Sequence, residues 1–418
     1  MTRAKPTKPT LTGVLSPSDV LAGRAGLAGR VGRTCRVGGR VVSVRGSVLV
    51  LADAVAAVTV RLGTTAGTTA MAPGELLVVE GRIRKRGLDR ASLIERHPGL
   101  PPAADSEHGR LSLGGVGKHL VSRALALRII RTWFDARGFL EVTTPVRVPS
   151  PGLDAHVDAI RAEPGYLITS PELHMKRLVV GGLPRVYQIA HTSRADEHGA
   201  LHEPEFAMLE WYRAFSDMDA VVRDTEDLVL AVVLALAGRP SVKIGARSVD
   251  VRPPFPRVTL REAFKRHAGI ADAVDLAAED EERYFQTFVD RVEPGLAKAR
   301  RPVVLTEFPA TQAALARRCP HDATVAERFE IYVAGVELCN GFGELTDPAE
   351  QRRRFAIEQD RRRRTNTPVY PVDERFLSAL EEGLPPSGGN ALGLDRLIAL
   401  GLGVARIADV MAFPKERL

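Results

Sequence analysis

The chain has 418 residues, 44% of them hydrophobic and 26% charged, with a formal net charge of +7. This is enough chain for two to three domains and a core that needs no covalent staples. It excludes a disordered tail, a collagen-like repeat and a disulfide mini-scaffold, and the scattered Cys35, Cys319 and Cys339 exclude a disulfide framework or a zinc cluster.

The charge is uneven. Residues 1–110 hold 17 Lys/Arg against 8 Asp/Glu, whereas 111–418 hold 41 against 43. A basic front implies an anionic partner, either nucleic acid or an acidic protein surface. Residues 1–30 are rich in Pro, Thr, Gly and Arg and read as a mobile basic arm, with one short helix near 17–24. Over 31–98, short β-branched runs alternate with Gly, as in CRVGGRVVSVR and GELLVVEGRIRKR. They predict a small β-barrel of the oligonucleotide/oligosaccharide-binding (OB) type, a pattern that SH3-like barrels share. The Pro- and Ala-rich residues 99–110 read as a linker.

From residue 111 the pattern changes. Apolar residues at helical spacing predict a long helix over 119–139, ending at Gly138. Short strands are expected around 139–147, 166–169, 186–191 and 205–213. Strands in succession, without strict alternation with helices, indicate an α+β fold over 111–418. Gly114-Gly115-Val116-Gly117-Lys118 resembles a phosphate loop, but Ser112 stands where its first Gly belongs and His119 follows the Lys. The longest apolar run, 228–237, is too short to span a bilayer. The start of the chain has no apolar signal region, so a cytoplasmic protein with no membrane partner is expected.

Three stretches concentrate unlike residue types. The first runs from Tyr166 through Ser170-Pro171-Glu172 to Arg177. It reads as a strand, a turn and a helix start, with Glu172 at the positive helix end. The second runs from Tyr187 to Arg213. Alternation puts Phe206, Met208, Glu210 and Tyr212 on one strand face, a mixture that suits a ligand floor better than a core. His198 and His202 lie in its loop and do not read as a metal pair. The third is Glu330 to Leu345, followed by the Gly-rich approach to Arg396. Two strands joined at Ala334-Gly335 would bring Glu330 and Glu337 together, as a Mg²⁺ bridging phosphates requires.

The stretches VAERFEIYVAGVELCNGFGELTDPAEQRRRF, ITSPELHMKRL and HEPEFAMLEWYR resemble the catalytic core of class II aminoacyl-tRNA synthetases, lysine subgroup. The resemblance is nearest to the shorter paralogues that attach (R)-β-lysine to translation elongation factor P. It covers 111–418. It implies an antiparallel sheet flanked by helices, a homodimer formed through the helix at 119–139 and the strand ending near Pro145, and an AMP-forming, ATP-dependent ligase using Mg²⁺.

The resemblance also implies roles. Arg194 would sit on the α-phosphate and the substrate carboxylate. Phe206 and Arg396 would sandwich the adenine, and Asp196 would replace the usual Glu that reads its amino group. Glu330 and Glu337 would hold Mg²⁺; Arg194, Glu337 and Arg396 would carry the charge chemistry. Leu338 and Gly393 would offer backbone to the nucleotide. Glu172 would take the amine near the substrate carboxylate, Glu344 with Tyr212 the far amine, and Asn340 the carboxylate end. Ser170 and Ala391 match the paralogue, since true lysyl synthetases usually carry Ala and Gly there. Departures are Ser193, Ala195 and Gly343, and Glu203, which replaces an Asn and adds negative charge near the ATP phosphates.

The barrel revives a lysyl-tRNA synthetase as the alternative, with tRNA as partner. Yet residues 1–132 contain no Phe, Tyr or Trp. A barrel without aromatic side chains has no stacking platform for single-stranded bases. It is expected to contact phosphates or an acidic protein without reading an anticodon. A pseudo-synthetase that retains only the pocket is disfavoured by Arg194, Glu337 and Arg396.

Overall fold

The computed structural model describes residues 13–21, 31–63, 71–85, 87–153 and 157–418. The chain divides into two units, Met1–Val121 and Ser122–Leu418.

The first unit contains β1 (Val14–Leu15), α1 (Pro17–Leu21), β2 (Thr34–Arg45), β3 (Val48–Ala52), β4 (Ala57–Leu62), β5 (Leu76–Arg84) and β6 (Gly87–His97). The strand order is β1-β2-β3-β4-β6-β5, and β5 pairs back onto β2, which closes a five-stranded barrel. Only β4 and β6 run parallel within it. Alternation explains the closure. Val37, Val41, Leu49, Leu51, Val58, Val60 and Val79 are buried inside, while Arg36, Arg45, Arg61 and Arg82 face out. The OB-like barrel is therefore present.

One expectation is corrected. Residues 13–21 are not a free arm. Val14 and Leu15 pair with Arg36 and Val37, and Val20 packs into the barrel core. The segment is too short to show periodicity, so only its pairing reveals it. The remainder of the expected arm, 1–12 and 22–30, lies outside the described residues. The expected linker, 99–110, runs into a helical turn at Gly109–Leu113.

The elements that position the site in the second unit are α2 (Val116–Asp135), β7 (Leu140–Glu141), α3 (Glu172–Val180), β8 (Arg185–Ser193), β9 (Glu205–Ala214), α4 (Met218–Ala237), β10 (Arg257–Thr259), β11 (Val303–Pro309), β12 (Asp322–Val333), β13 (Val336–Gly343), β14 (Ser387–Gly393) and α5 (Leu394–Leu402). The sheet order is β10-β11-β12-β13-β14-β9-β8-β7, with Arg318–Cys319 paired onto β12. Pairs β10–β11 and β7–β8 are parallel; the intervening pairs are antiparallel. This is the α+β architecture expected for the catalytic region. Helix α2 spans Val116–Asp135 rather than 119–139, and Gly138, at φ +70°, turns the chain into β7.

One sheet face is apolar. Leu209, Trp211, Phe329, Ile331 and Leu392 pack there with the buried side of α4 and α5. Phe134 of α2 stacks on Tyr187 at 4.3 Å and meets Trp211 edge-on at 5.6 Å. Asp395 at the start of α5 pairs with Arg123 of α2 and accepts the Ala207 N–H of β9 at 2.8 Å. The period of two leaves the opposite face to polar residues. Among the described residues, no helix is long and apolar enough to cross a membrane.

Candidate active site

Strand register assembles the site. Glu330, Asn340, Ala391, Glu210 and Gln188 form one row across β12, β13, β14, β9 and β8. Arg328, Phe342, Gly389 and Tyr212 form the next row. Residues paired across strands share a face, so both rows meet the same space. Above them is a cavity of about 420 Å³, within the range of small-molecule sites.

Twelve of the fifteen residues to which the resemblance gives a site role line this cavity: Ser170, Glu172, Arg194, Glu203, Phe206, Glu330, Glu337, Leu338, Asn340, Ala391, Gly393 and Arg396. Tyr212 and Glu344 lie just beneath its wall, fully buried. Asp196 does not line it. Asp196 occupies a left-handed turn at φ +59°, and the next residue, Glu197, takes the wall position. Glu197 sits 3.9 Å from Arg194 and 3.6 Å from His202.

The floor is a buried charge cluster. Ser170 Oγ accepts the Glu172 N–H at 3.0 Å, which starts α3, and donates to Glu210 Oε2 at 2.7 Å. Tyr212 donates its hydroxyl proton to Glu210 Oε1 at 2.6 Å. Glu210, two residues away on the same strand face, is thus the hydrogen-bond partner of Tyr212, which the resemblance sets beside Glu344 at the far amine of the substrate. Lys176, one turn after Glu172, places its ammonium 2.5 Å from Glu172 Oε1 and 2.6 Å from Glu344 Oε2. Glu344 Oε1 has no hydrogen-bond partner among the described residues. Burial pushes Glu344 up to about 7, against the pull of Lys176. Burial, reinforced by Glu172, pushes Glu210 up to about 8. Burial alone would strip the Lys176 proton, but Glu172 and Glu344 outweigh it and hold the ammonium charged.

The opposite end is basic and aromatic. The Arg194 guanidinium lies 5.3 Å from the Phe206 ring centroid, a cation–π distance. Its buried Nε has no partner among the described residues. Arg396 is anchored by donating to the Glu337 carbonyl at 2.8 Å and to the Leu201 carbonyl at 3.2 Å. Its Nη2 meets His202 Nε2 at 2.8 Å. Burial and the Arg396 charge push His202 below its ordinary value. Glu203 accepts the Lys415 backbone N–H at 2.9 Å, and His198 lies 3.1 Å from Lys415 Nζ, so His198 and His202 serve separate contacts.

Glu330 and Glu337 come together as the sequence suggested. Ala334 and Gly335, both at positive φ, make the two-residue hairpin turn. A register shift at Ile331/Tyr332 sets Glu337 opposite Tyr332, two residues from Glu330. Glu330 accepts from Arg328 at 2.6 Å and from Tyr332 at 2.7 Å. Burial raises its proton affinity; Arg328 opposes this and the nearby Glu337 adds to it. Glu293 also lines the cavity, and burial with Glu337 and Glu330 pushes it up to about 7.

Lys176, Glu197, His202, Glu293 and Arg328 carry no role in the sequence reading. Lys176 sits in the quoted ITSPELHMKRL stretch, and its spacing of four from Glu172 on a helix was the available signal. Glu293 comes from a segment with no motif, so sequence offered none.

Residues 108–417 match the family described as tRNA synthetases class II (D, K and N). Among curated proteins, the chain is 42% identical over 317 residues to the elongation factor P–(R)-beta-lysine ligase of Edwardsiella ictaluri, covering 72% of this chain and 95% of that protein. The enzyme of the same name from Proteus mirabilis is 42% identical over 312 residues, with the same coverage. That from Haemophilus influenzae is 40% identical over 311 residues, covering 71% and 94%. With three quarters of its length matched by the family and relatives at 40–42% identity covered almost end to end, the chain belongs to the class II tRNA synthetase family of the D, K and N group.

Proposed function

We propose that the chain activates lysine or (R)-β-lysine with ATP as an aminoacyl-adenylate and transfers the acyl group to a lysine side chain of translation elongation factor P. The observation that carries this reading is the floor of Glu172, Glu210 and Glu344 under a cavity walled by Arg194, Phe206 and Arg396. An acid with two ammonium groups needs anionic partners wherever water is excluded. The acceptor is that named for the curated relatives, which the chain covers almost end to end.

In the first step a carboxylate oxygen of the amino acid attacks the α-phosphorus of ATP. The new O–P bond forms as the bond to the bridging oxygen breaks, and pyrophosphate leaves. The protein supplies no nucleophile, only position and charge. Arg194 would span the two reacting groups, since its fork can hold oxygens of both. Phe206 and Arg396 would hold the adenine between them. Glu197, on the wall where Asp196 was expected, suits the adenine amino group. Leu338 and Gly393 would offer backbone to the nucleotide, and Asn340 would hold the carboxylate end. In the second step the acceptor amine attacks the carbonyl carbon. The C–N bond forms, the bond to AMP breaks, and the amine loses a proton.

Glu330 and Glu337 fit a Mg²⁺ ion. They line one cavity, repel each other, and the Glu337 side chain keeps 40% of its exposure. Such an ion would neutralise phosphate charge. Among the described residues no group of three or more His, Cys, Asp or Glu is set for a metal, so phosphate and water would complete the shell. The chain is further read as cytoplasmic and homodimeric. Leu140 and Val146, in the segment that follows α2, are half exposed, which suits a subunit contact. The basic barrel suits an anionic surface, either the acceptor protein or tRNA backbone.

The test offers labelled lysine and (R)-β-lysine with ATP and Mg²⁺, with elongation factor P and bulk tRNA as parallel acceptors. Label on the protein, preferring (R)-β-lysine, is the expected outcome. Label on tRNA alone would make the chain a lysyl-tRNA synthetase.

A further inference from the structure

We infer that Lys176 is a specificity-determining positioning residue, whose buried ammonium sets the charge of the floor to the complement of two ammonium groups. The inference rests on the proposed lysine-type substrate and deepens it.

Glu172, Glu210 and Glu344 are three carboxylates with at most 8% exposure, and Lys176 is 1% exposed. When all four are ionised the floor carries two net negative charges. Two ammonium groups on the substrate balance them. A substrate with one ammonium leaves one buried charge uncompensated, and burial makes that state unfavourable. Without Lys176 the balance would call for three cations, which no lysine isomer has.

Position supports the count. Lys176 bridges α3 to the residue following β13, through Glu172 at 2.5 Å and Glu344 at 2.6 Å. It also lies 5.9 Å from the Tyr212 ring centroid on β9. One side chain thereby fixes the two carboxylates that the sequence reading assigned to the two substrate amines. The other groups facing this cluster are Tyr212, which donates to Glu210, and Arg317, which acts on Glu344 while paired with Glu327 at 2.6 Å. Neither changes the count near neutral pH: the Tyr212 phenol is held protonated by burial, and Arg317 is matched by its own carboxylate.

In the empty site, burial holds Glu344 at about 7 and Glu210 at about 8, so part of the floor is protonated near neutrality. A diammonium substrate requires the ionised floor and drives those protons off. A mono-ammonium substrate requires one fewer ionised carboxylate.

The experiment uses the full chain and pyrophosphate exchange with lysine and (R)-β-lysine. The mono-ammonium probes are 2-aminohexanoic and 6-aminohexanoic acid. Lys176→Met is expected to raise KM for the diammonium acids by about 10- to 100-fold, to leave KM for ATP within about twofold, and to move the rising limb of kcat/KM to higher pH. An unchanged pH profile overturns the inference. So does an equal loss for diammonium and mono-ammonium acids. Because Lys176→Met could misfold, a second measurement uses the unaltered chain. Calorimetry at pH 7 in buffers of different ionisation enthalpy counts the protons released on binding. More protons released by lysine than by either mono-ammonium acid is the expected result; equal release overturns the inference whatever the variant does. Absence of exchange with both diammonium acids in the unaltered chain would instead remove the parent reading.

Discussion

Glu344 shows how much a single residue depends on its neighbours. Its carboxylate is fully buried, Lys176 holds one oxygen, and the other has no partner among the described residues. Glu344→Gln leaves the shape and removes the charge. Truncating one partner of a buried charge pair typically costs about 2–5 kcal/mol. KM for lysine in pyrophosphate exchange is therefore expected to rise by at least about 30-fold, with KM for ATP nearly unchanged. The raised carboxylates also make stability depend on pH. Glu210 at about 8 and Glu344 at about 7 bind more protons folded than unfolded. Their stabilising contribution is complete below the ordinary carboxylate value and is lost as pH rises through 7 and 8. Thermal melts of the ligand-free protein should show Tm falling between pH 5 and pH 9, and a saturating diammonium ligand should flatten that fall.

At the scale of elements, the strand pattern and the turn between β12 and β13 carry the geometry. Ala334 holds φ +52°. A non-glycine residue in that region costs about 1–2 kcal/mol. Ala334→Gly should raise unfolding stability by about 1 kcal/mol, read as a higher midpoint in urea at unchanged m-value. The neighbouring strand β14 has the opposite requirement. A Cβ on Gly389 would stand 2.3 Å from the Tyr212 ring and 2.4 Å from Glu344 Oε1. Gly389→Ala should therefore displace both and raise KM for lysine by about 10-fold or more, while ATP, whose wall lies toward Phe206 and Arg396, keeps its KM. Both positions were visible in the sequence as glycine-bearing segments. Their purpose was legible only at Ala334-Gly335, because a two-residue link between two strands forces positive φ. The role of Gly389 depends on which side chains cross from β9 and β13, which no local pattern encodes.

At the scale of the molecule, the two units answer to different constraints. The family match begins at residue 108, so the barrel, whose last strand ends at His97, lies outside it. Arg45 and Arg61 are exposed on that barrel, both beside Val48 in register, and make no ion pair among the described residues. The double variant Arg45→Glu/Arg61→Glu should leave pyrophosphate exchange within about twofold. On the proposal that the barrel meets an anionic acceptor surface, it should weaken that association by about 10-fold at low salt, and the difference should vanish as salt is raised. A filter-binding titration at two ionic strengths, run beside the exchange assay, would check both halves of this expectation.

The barrel, the polar strand face of Phe206 to Tyr212 and most of the cavity wall were legible in the chain before folding, because alternation, turn chemistry and motif residues are local properties. The family resemblance also singled out Glu172 and Glu344, which the fold brings onto one ammonium group. That Lys176 joins them, that Tyr212 serves Glu210, that Glu197 stands on the wall instead of Asp196, and that residues 13–21 pack onto the barrel emerged with the fold. Those contacts join strands and helices far apart in the chain, or follow from a backbone turn at φ +59°, and their charge states follow from burial, which exists only once the sheet and α3 have closed over the site.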